Sequence, residues 1–408
     1  MGCASKPLCY SVFIPKVIRI KFSSSAIMQK KLLLVVNHSE FFLSHRLPIA
    51  QFALEHGYEV HLATSKTPAL ALVRQHGIIT HTLPLQPGGM NPFKDFLLLL
   101  SLFVLYRKIQ PDIIHQVTIK PVMYGSIAAR LSKTKSVINA MSGMGYLYIS
   151  NSIKQRILRK IIQSFLKFGF KHPNIKMILQ NLDDQKLFVE SAILNVEDIQ
   201  LIKGSGVDPK LYSPQAEPEK PFMVLMPTRL LWDKGVGEFV EAAEIVKKTL
   251  PETRFVLVGD IDENNPNVVD RSQILDWVKL GYVEWLGMRD DMPAILNQAQ
   301  IVCLPSYREG LPKSLIEAAS CGRPIVSTDV PGCREIARDN DNALLVPPRN
   351  GKALAAAIEK LLKDPVLCKK MGVSGRSIVL NEFTLDHVLK QTFTLYQTMT
   401  NNSRRLFQ

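Results

Sequence analysis

The sequence lacks the features by which several protein classes are recognised. Its six cysteines, at positions 3, 9, 303, 321, 333 and 368, include no C-x-x-C pair and no histidine at zinc-finger spacing, which argues against a zinc ribbon or a disulfide scaffold. No apolar run reaches the ~18 residues that a membrane-spanning helix needs, and no internal repeat is evident. With 408 residues, 46% of them apolar, we expect an ordered two-domain protein of a reducing, cytoplasmic compartment.

Positive charge is concentrated in the first half of the chain. Residues 1–210 contain 26 Lys and Arg against 11 Asp and Glu, a net charge of +15, whereas residues 211–408 contain 24 against 25, a net charge of −1. Such an asymmetry indicates a polyanionic partner of the first half, either nucleic acid or an anionic membrane surface. The alternative is a basic face that only keeps the protein soluble.

Residues 151–181 carry no acidic side chain. Apolar residues recur there at three- and four-residue steps, which predicts a helix with an apolar stripe and a cationic face. Such a helix can lie on an anionic bilayer, or its stripe can pack on a sheet. The stripe consists of Ile153, Ile157, Ile161, Phe165 and Phe168, and the cations are Lys154, Arg156, Arg159, Lys160, Lys167, Lys171 and Lys176.

Short β-rich runs alternate with helical patterns from residue 32 onward, which predicts βα units around parallel sheets. The first helix is expected from Ser44 to His56, ended by Gly57. Residues 204–220 contain three prolines and two glycines and predict a domain boundary. Strands are expected at 32–36, 59–64, 112–115, 135–139, 222–226, 254–258, 301–304, 324–327 and 343–346.

These patterns predict an α/β protein with two Rossmann-like domains facing each other across a cleft, where ligands of open α/β sheets bind. Residues 1–29 are expected to be a disordered extension or a misassigned start, because prolines at positions 7 and 15 break any signal-peptide core. The remaining boundaries are 30–203 for the first domain, 204–220 for a linker, 221–385 for the second domain and 386–408 for a C-terminal helix and tail.

One segment after the predicted strand at 301–304 has the chemistry of a phosphate site. Gly310 allows a ligand to approach the backbone, Pro312 suits a first helical turn, and the free amides of Lys313 and Ser314 favour an anion. Glu309 and Glu317 are eight residues apart, or about 12 Å along a helix, beyond the ~5–9.5 Å of a glycosidase carboxylate pair. This separation is better explained if the two glutamates hydrogen-bond to different parts of one elongated ligand.

A second segment, Thr228-Arg229-Leu230-Leu231-Trp232-Asp233-Lys234-Gly235, follows the first predicted strand of the second half. Arg229 provides a planar guanidinium group that can make two parallel hydrogen bonds, and Lys234 provides a compact ammonium charge. This combination suits a diphosphate. In this order, the two segments resemble the donor site of retaining glycosyltransferases of family four, which have the GT-B fold. The resemblance covers residues 30 to about 400. It includes Gly206-Val207-Asp208, Val258-Gly259-Asp260 and Leu286-Gly287-Met288.

Three segments of the first half resemble the subgroup that extends polyprenyl-diphosphate-linked glycans, such as the GalNAc transferases acting on N,N′-diacetylbacillosamine. They are Phe41-x-x-x-His45-Arg46-Leu47-Pro48, residues 115–121 (HQVTIKP) and residues 142–146 (SGMGY). The resemblance implies a lipid-linked saccharide acceptor, no nucleic acid, and a place on the inner face of the cell membrane. Membrane or acceptor contacts would come from Lys154, Arg156, Arg159, Lys160 and Lys120.

On the donor side, the resemblance implies a UDP-linked sugar transferred with retention. Glu309 would contact the sugar hydroxyls, and Glu317 would hold the ribose. Arg229 and Lys234 would neutralise the diphosphate in the transition state. The segment Gly310, Leu311, Pro312 and Lys313 would offer backbone amides, and Gly287 with Met288 would wrap the base.

The chain departs from the family pattern at two places. Asn37-His38-Ser39 stands where many members have a glycine pair, and Val117 stands where many have a histidine near the anomeric carbon. His115 is therefore either a catalytic residue or a structural histidine at the end of a strand. Front-face retention does not demand a protein base, because the departing phosphate can take the acceptor proton.

Asp260-Ile261-Asp262 matches the D-x-D metal motif of the other glycosyltransferase fold, yet the same spacing recurs at Asp339-Asn340-Asp341. We expect no metal and no cofactor beyond the donor substrate. Two other functions stay open: a nucleotide-sugar epimerase on the same architecture, which would leave Arg229, Lys234 and the two glutamates unexplained, and a nucleic-acid-binding protein, for which no recognition motif is present.

Overall fold

The computed structural model describes residues 29–85, 91–141, 152–216, 220–263 and 265–406. They form two open parallel sheets covered by helices, as the sequence predicts. The first sheet has the order β3-β2-β1-β4-β5-β6-β7. Its strands are β1 (Lys31–Val35), β2 (Glu59–Thr64), β3 (Ile79–Thr82), β4 (Ile113–Val117), β5 (Val137–Ala140), β6 (Ile175–Leu179) and β7 (Ile199–Leu201).

The second sheet has the order β10-β9-β8-β11-β12-β13. Its strands are β8 (Met223–Pro227), β9 (Arg254–Val258), β10 (Glu284–Trp285), β11 (Ile301–Leu304), β12 (Ile325–Thr328) and β13 (Ala343–Val346). Strand order reverses between β1 and β4 in one sheet and between β8 and β11 in the other. Each reversal opens a crevice beyond the carboxyl ends of the strands, the usual ligand position in this architecture.

Helices cover both faces of each sheet. Those of the first half are α1 (Ser39–His45), α2 (Leu47–Glu55), α3 (Leu70–Gln75), α4 (Pro92–Ile109), α5 (Ile119–Ser132), α6 (Ile153–Gly169) and α7 (Leu182–Glu190). Those that follow are α8 (Val236–Lys247), α9 (Arg271–Lys279), α10 (Met292–Gln298), α11 (Lys313–Ser320), α12 (Cys333–Ile336), α13 (Gly351–Lys363), α14 (Pro365–Glu382) and α15 (Leu385–Leu406). Within the described ranges, no helix is both long and apolar enough to cross a membrane.

The prediction of one helix from Ser44 to His56 is wrong in its start and continuity. Helix α1 begins at Ser39, and Arg46 separates it from α2 with a backbone conformation of φ −126° and ψ −13°. Pro48 is the second residue of α2, where its missing N–H matters little but where it could not extend a preceding helix.

The final helix crosses back to the first domain. Beside the linker, Val207 N donates to the Phe383 carbonyl at 3.0 Å and Leu385 N to the Val207 carbonyl at 2.8 Å. Helix α15 then contacts α2 and β4. Its buried side chains, which join the apolar core on that face of the first sheet, are Val388, Leu395, Tyr396 and Met399.

Candidate active site

Lys234 and Glu309 meet beyond the carboxyl ends of β8 and β11. Lys234 ends a short 3-10 helix (Trp232–Lys234) after β8, and Glu309 lies in the loop after β11. Because these strands are neighbours, their loops touch, and Tyr307 N donates to the Asp233 carbonyl at 2.9 Å. Lys234 Nζ lies 2.6 Å from Glu309 Oε1, with side chains only 16% and 13% exposed. Residues predicted to bind diphosphate and sugar are thus in direct contact.

Two glycines permit this approach. Gly235 has φ +79°, and a Cβ there would lie 2.2 Å from the Pro305 carbonyl oxygen. Gly332 has φ +81°, and a Cβ there would lie 2.5 Å from the Glu309 carbonyl oxygen. Since neither backbone atom can give way cheaply, both positions require glycine.

Arg229 lies at the rim of the same edge. Its Nη1 is 3.0 Å from Asp262 Oδ2, and its side chain is 58% exposed. Asp260 accepts a hydrogen bond from the Ile261 amide at 2.8 Å. One carboxylate of the D-x-D pattern is therefore paired with a cation.

The loop after β11 is held across the cleft by the first domain. Arg308 Nη2 pairs with Asp184 Oδ1 at 2.5 Å, and Asn181 Nδ2 donates to the Gly310 carbonyl at 2.8 Å. Leu311 lies against the linker, because a Cβ on Gly204 would be 2.9 Å from Leu311 Cδ2. These contacts fix the predicted sugar-binding loop relative to both domains.

Helix α11 follows Pro312 and carries the second glutamate. Glu317 is only 8% exposed, and its Oε1 lies 3.4 Å from Lys313 Nζ. Burial raises the pKa of the Glu317 carboxyl, whereas the Lys313 charge and a hydrogen bond from Tyr212 oppose that shift. The Glu317 carboxyl is thus a buried hydrogen-bond acceptor, with Tyr212 and Lys313 as its partners.

The segment predicted to wrap the base follows β10, at the edge of the second sheet. Gly259 N donates to the Gly287 carbonyl at 2.9 Å, and the Trp285 indole donates to the Gly259 carbonyl at 2.9 Å. Met288 is 66% exposed, so its side chain is available to a ligand.

His115 lies at the interface between β4 and α15. It is 1% exposed, and its Nδ1 is 2.6 Å from the Tyr396 hydroxyl. Burial and the nearby Arg46 charge lower the pKa of His115 to about 3. An imidazole of that pKa accepts a proton poorly at neutral pH. The contacts fit the structural alternative for His115.

The predicted membrane residues fall into two groups. Lys120 Nζ pairs with Asp95 Oδ1 at 3.2 Å, with both side chains largely buried, so Lys120 is engaged inside the first domain rather than on a membrane-facing surface. Arg156 and Lys160 are exposed on α6, and Arg159 is partly exposed. The side chain of Lys154 and residues 142–146 lie outside the described residues.

Two family models match the chain. The model Glycosyl transferases group 1 matches residues 208–378, and the model Glycosyl transferase 4-like matches residues 31–178. The chain is also 30% identical over 385 residues to N,N'-diacetylbacillosaminyl-diphospho-undecaprenol alpha-1,3-N-acetylgalactosaminyltransferase of Campylobacter jejuni, covering 88% of this chain and 99% of that protein. The chain is a GT-B glycosyltransferase of family four.

Further similarities agree with this assignment. The glycosyltransferase is 23% identical over 372 residues to UDP-Gal:alpha-D-GlcNAc-diphosphoundecaprenol alpha-1,3-galactosyltransferase of Escherichia coli, covering 88% of this chain and 94% of that protein. A Rickettsia africae glycosyltransferase structure matches 92% of this chain and 100% of its own, with a TM-score of 0.72 and 19% identity. Anabaena HepE in complex with UDP matches 91% and 100%, with a TM-score of 0.71 and 18% identity. The two structures support the fold.

Sequence reasoning missed the residues of the first domain that hold the loop after β11. Asn181 is the N-cap of α7, and its Oδ1 accepts from the Asp184 amide at 2.7 Å. The pattern Asn181-Leu182-Asp183-Asp184 is a helix-start signal shortly after β6. The sequence could therefore have predicted that these side chains lie at the start of a helix. Their contacts with Arg308 and Gly310, more than 120 residues away, were not.

Proposed function

We propose that this glycosyltransferase moves a hexose or N-acetylhexosamine from a UDP-sugar to a lipid-linked saccharide, with retention at the anomeric carbon and without a metal ion. The observation that carries the donor side is the contact between Lys234 and Glu309 beyond β8 and β11. It occurs in a chain that aligns with 99% of a transferase named for a diphospho-undecaprenol substrate.

The paired charges suggest how the donor enters. In the structure, Lys234 is paired with Glu309 and Arg229 with Asp262. A diphosphate offers both cations charge-assisted hydrogen bonds and carries more negative charge than a single carboxylate. When Lys234 turns to the diphosphate, the Glu309 carboxylate is released to accept hydrogen bonds from sugar hydroxyls. Donor binding therefore replaces internal ion pairs by ligand contacts.

The proposed transfer occurs on one face of the sugar. The bond between the anomeric carbon and the leaving phosphate oxygen breaks, and a bond from the acceptor oxygen forms on the same face. The proton of the acceptor hydroxyl passes to the departing phosphate. Arg229 and Lys234 stabilise the charge that develops on the leaving diphosphate, which lowers the barrier.

The acceptor side rests on helix α6. Its predicted apolar stripe points outward rather than into the core, since Ile153 is 69% exposed and Ile157 55%. Ile162 and Leu166 are instead buried in the apolar core of the first domain. Exposed cations flank the stripe, which is the arrangement of a helix lying on an anionic bilayer.

Helix α4 extends this surface. It lies on the other side of α5, which contacts both α4 and α6, and it too turns large apolar side chains outward. Contiguous exposed apolar side chains with a basic rim mark a membrane or partner surface. The exposed apolar side chains of α4 are Phe93, Phe96, Leu97, Leu100 and Val104. We propose that α4 and α6 rest on the inner face of the cell membrane.

The test is an assay with a panel of UDP-hexoses and UDP-N-acetylhexosamines. The acceptor is a polyprenyl-diphosphate-linked N-acetylhexosamine in anionic vesicles. We expect UDP release with one or two donors and a product whose anomeric proton coupling shows the donor's configuration. Inverted configuration would refute retention. A new UDP-sugar formed without acceptor would reveal an epimerase instead, and transfer from no UDP-sugar would refute the donor assignment.

A further inference from the structure

The segment from Phe41 to Pro48 lies where the first domain faces the second. His45 is the last residue of α1, which follows β1 at the carboxyl edge of the first sheet. Lys313 of the second domain reaches this point, because its Nζ donates to the Ser44 carbonyl at 3.0 Å. His45 therefore stands at the cleft, opposite the start of α11.

The ring of His45 is held in one orientation. It stacks on Phe41 with ring centroids 4.3 Å apart and planes 8° apart. Its Nδ1 lies 2.7 Å from Ser44 Oγ, and the ring also hydrogen-bonds the Phe41 carbonyl. A carbonyl only accepts, so the ring donates there. The Ser44 hydroxyl lies 2.9 Å from the Glu40 carbonyl, to which it can donate while accepting from the imidazole.

With the Ser44 hydroxyl donating to the Glu40 carbonyl and lying 2.7 Å from Nδ1, the arrangement fits a proton on Nδ1, which leaves the lone pair of Nε2 as an acceptor. Burial, then the charges of Lys313, Arg46 and Arg229, lower the pKa of His45 to about 3. The imidazole is therefore neutral at physiological pH. Phosphate oxygens bring no hydrogen to an unprotonated nitrogen, whereas a hydroxyl does.

The chain contains an internal control for this arrangement. Phe52 and His56 form the same i, i+4 pair at the end of α2, with ring centroids 4.2 Å apart and His56 Nδ1 2.7 Å from the Phe52 carbonyl. His56 is exposed, and its other ring contact is with Phe393 of α15. Local helix geometry is thus shared, and what distinguishes His45 is its burial and the nearby charges of Lys313, Arg46 and Arg229.

We propose that His45 is a sugar-binding residue of the first domain, whose Nε2 accepts a hydrogen bond from a sugar hydroxyl at the point where donor and acceptor meet. This inference rests on the proposed function and deepens it. It gives the first domain a direct contact with the reacting sugars, beside the cations that receive the diphosphate.

The test compares His45→Phe, which keeps the stacking but removes the acceptor nitrogen, with His45→Asn, which keeps an acceptor oxygen, and with the control His56→Phe. We expect kcat/KM to fall tenfold to hundredfold in His45→Phe, the range for a lost buried hydrogen bond. His45→Asn should recover most of the activity, and His56→Phe should match wild type. Thermal unfolding checks that each variant is folded.

Two further readouts identify the hydroxyl. If it belongs to the transferred sugar, acceptor-free hydrolysis of the UDP-sugar falls with transfer and calorimetric binding of UDP-sugar weakens, while UDP binding is unchanged. If it belongs to the acceptor, hydrolysis is unchanged and KM for the acceptor rises.

Activity of His45→Phe within twofold of wild type in every assay would overturn the proposal, as would a folded His45→Asn no better than His45→Phe. Wild-type transfer is measured first and tests the proposed function separately. Where the acceptor assignment fails, the calorimetric comparison still tests whether His45 binds the transferred sugar.

Discussion

The two domains treat polar groups differently. In the second domain, charged side chains of the site are paired with one another, as in Lys234 with Glu309 and Arg229 with Asp262. Residues 221–385 also contain no histidine. The first domain contains eight of the nine histidines. Among the described residues it also holds most of the buried polar side-chain atoms without a hydrogen-bond partner in the structure, such as Arg46 Nε, His115 Nε2 and Gln180 Oε1.

This difference separates two ways of preparing a site. Paired charges are satisfied without ligand, and in the proposed function a diphosphate enters by exchanging partners. The first domain instead directs cations and apolar side chains outward from α6, which suits a large, weakly specific surface. In the proposed function, the second domain binds a small anion and the first an extended surface.

The largest expected effect tests the paired charges of the second domain. Lys234→Ala and Glu309→Ala should each lower turnover by on the order of a hundredfold or more, because each removes a contact made in the transition state. Initial-rate assays measure this loss. Lys248→Ala, which removes an exposed ion pair of the same domain, serves as the control. Near-normal activity of Lys234→Ala would remove the diphosphate clamp from the mechanism.

His115, one of the buried histidines of the first domain, predicts a loss of stability in acid. The pKa of His115 is about 3 in the folded protein and about 6.5 in the unfolded chain. Between these two pH values the unfolded chain binds a proton at His115 that the folded protein does not. The free energy of unfolding is therefore unaffected well above pH 6.5 and falls as the pH drops from 6.5 toward 3. Linkage gives a loss of about 2 kcal/mol by pH 5.

Urea unfolding at pH 7.5 and pH 5 measures this loss, with hydrogen exchange of peptides from β4 and β11 locating it. His115→Gln should reduce the difference between the two pH values, whereas the exposed-site control His56→Gln should not. An unchanged difference in His115→Gln would show that other groups dominate the acid response.

The membrane surface is tested by replacing Lys154, Arg156, Arg159 and Lys160 with Gln. Each cation near an anionic surface contributes about 1 kcal/mol, so cosedimentation with anionic vesicles should weaken tenfold or more. Activity on a short, water-soluble acceptor analogue should persist. The matched control replaces four exposed lysines of the second domain, Lys248, Lys279, Lys352 and Lys360. Equal vesicle binding by both variants would mean that α6 is only a solvated face.

The smallest expected effect concerns metal. If Arg229 and Lys234 neutralise the diphosphate, transfer rates should be nearly unchanged by EDTA. Asp262, already paired with Arg229, supports this expectation. Strong inhibition that Mg²⁺ or Mn²⁺ reverses would instead assign a metal to Asp260 and Asp262.

Sequence reasoning succeeds where the physical signal is local. The strands at 59–64, 254–258, 301–304 and 343–346 agree with the structure to the residue, because strands buried on both faces form bounded apolar runs. Four strands were not predicted: β3, β6, β7 and β10. The last two have only three and two residues, and such short strands are defined by their neighbours.

Contacts between distant segments could not be predicted. Lys234 and Glu309 belong to separate motifs 75 residues apart, and no spacing rule indicates that they pair. Lys120 looks like a surface cation until Asp95 is placed beside it. His115 looks like a candidate base until Tyr396, 281 residues later, covers it.

The return of α15 to the first sheet also governs when the protein can fold during synthesis. The first sheet ends at Leu201, yet its core includes Val388, Tyr396 and Met399. At about 5–20 residues per second, the roughly 200 intervening residues take on the order of 10–40 s to translate. During that interval the emerging first domain exposes the apolar face that α15 later covers. The nascent chain therefore needs protection from aggregation until its last helix leaves the ribosome.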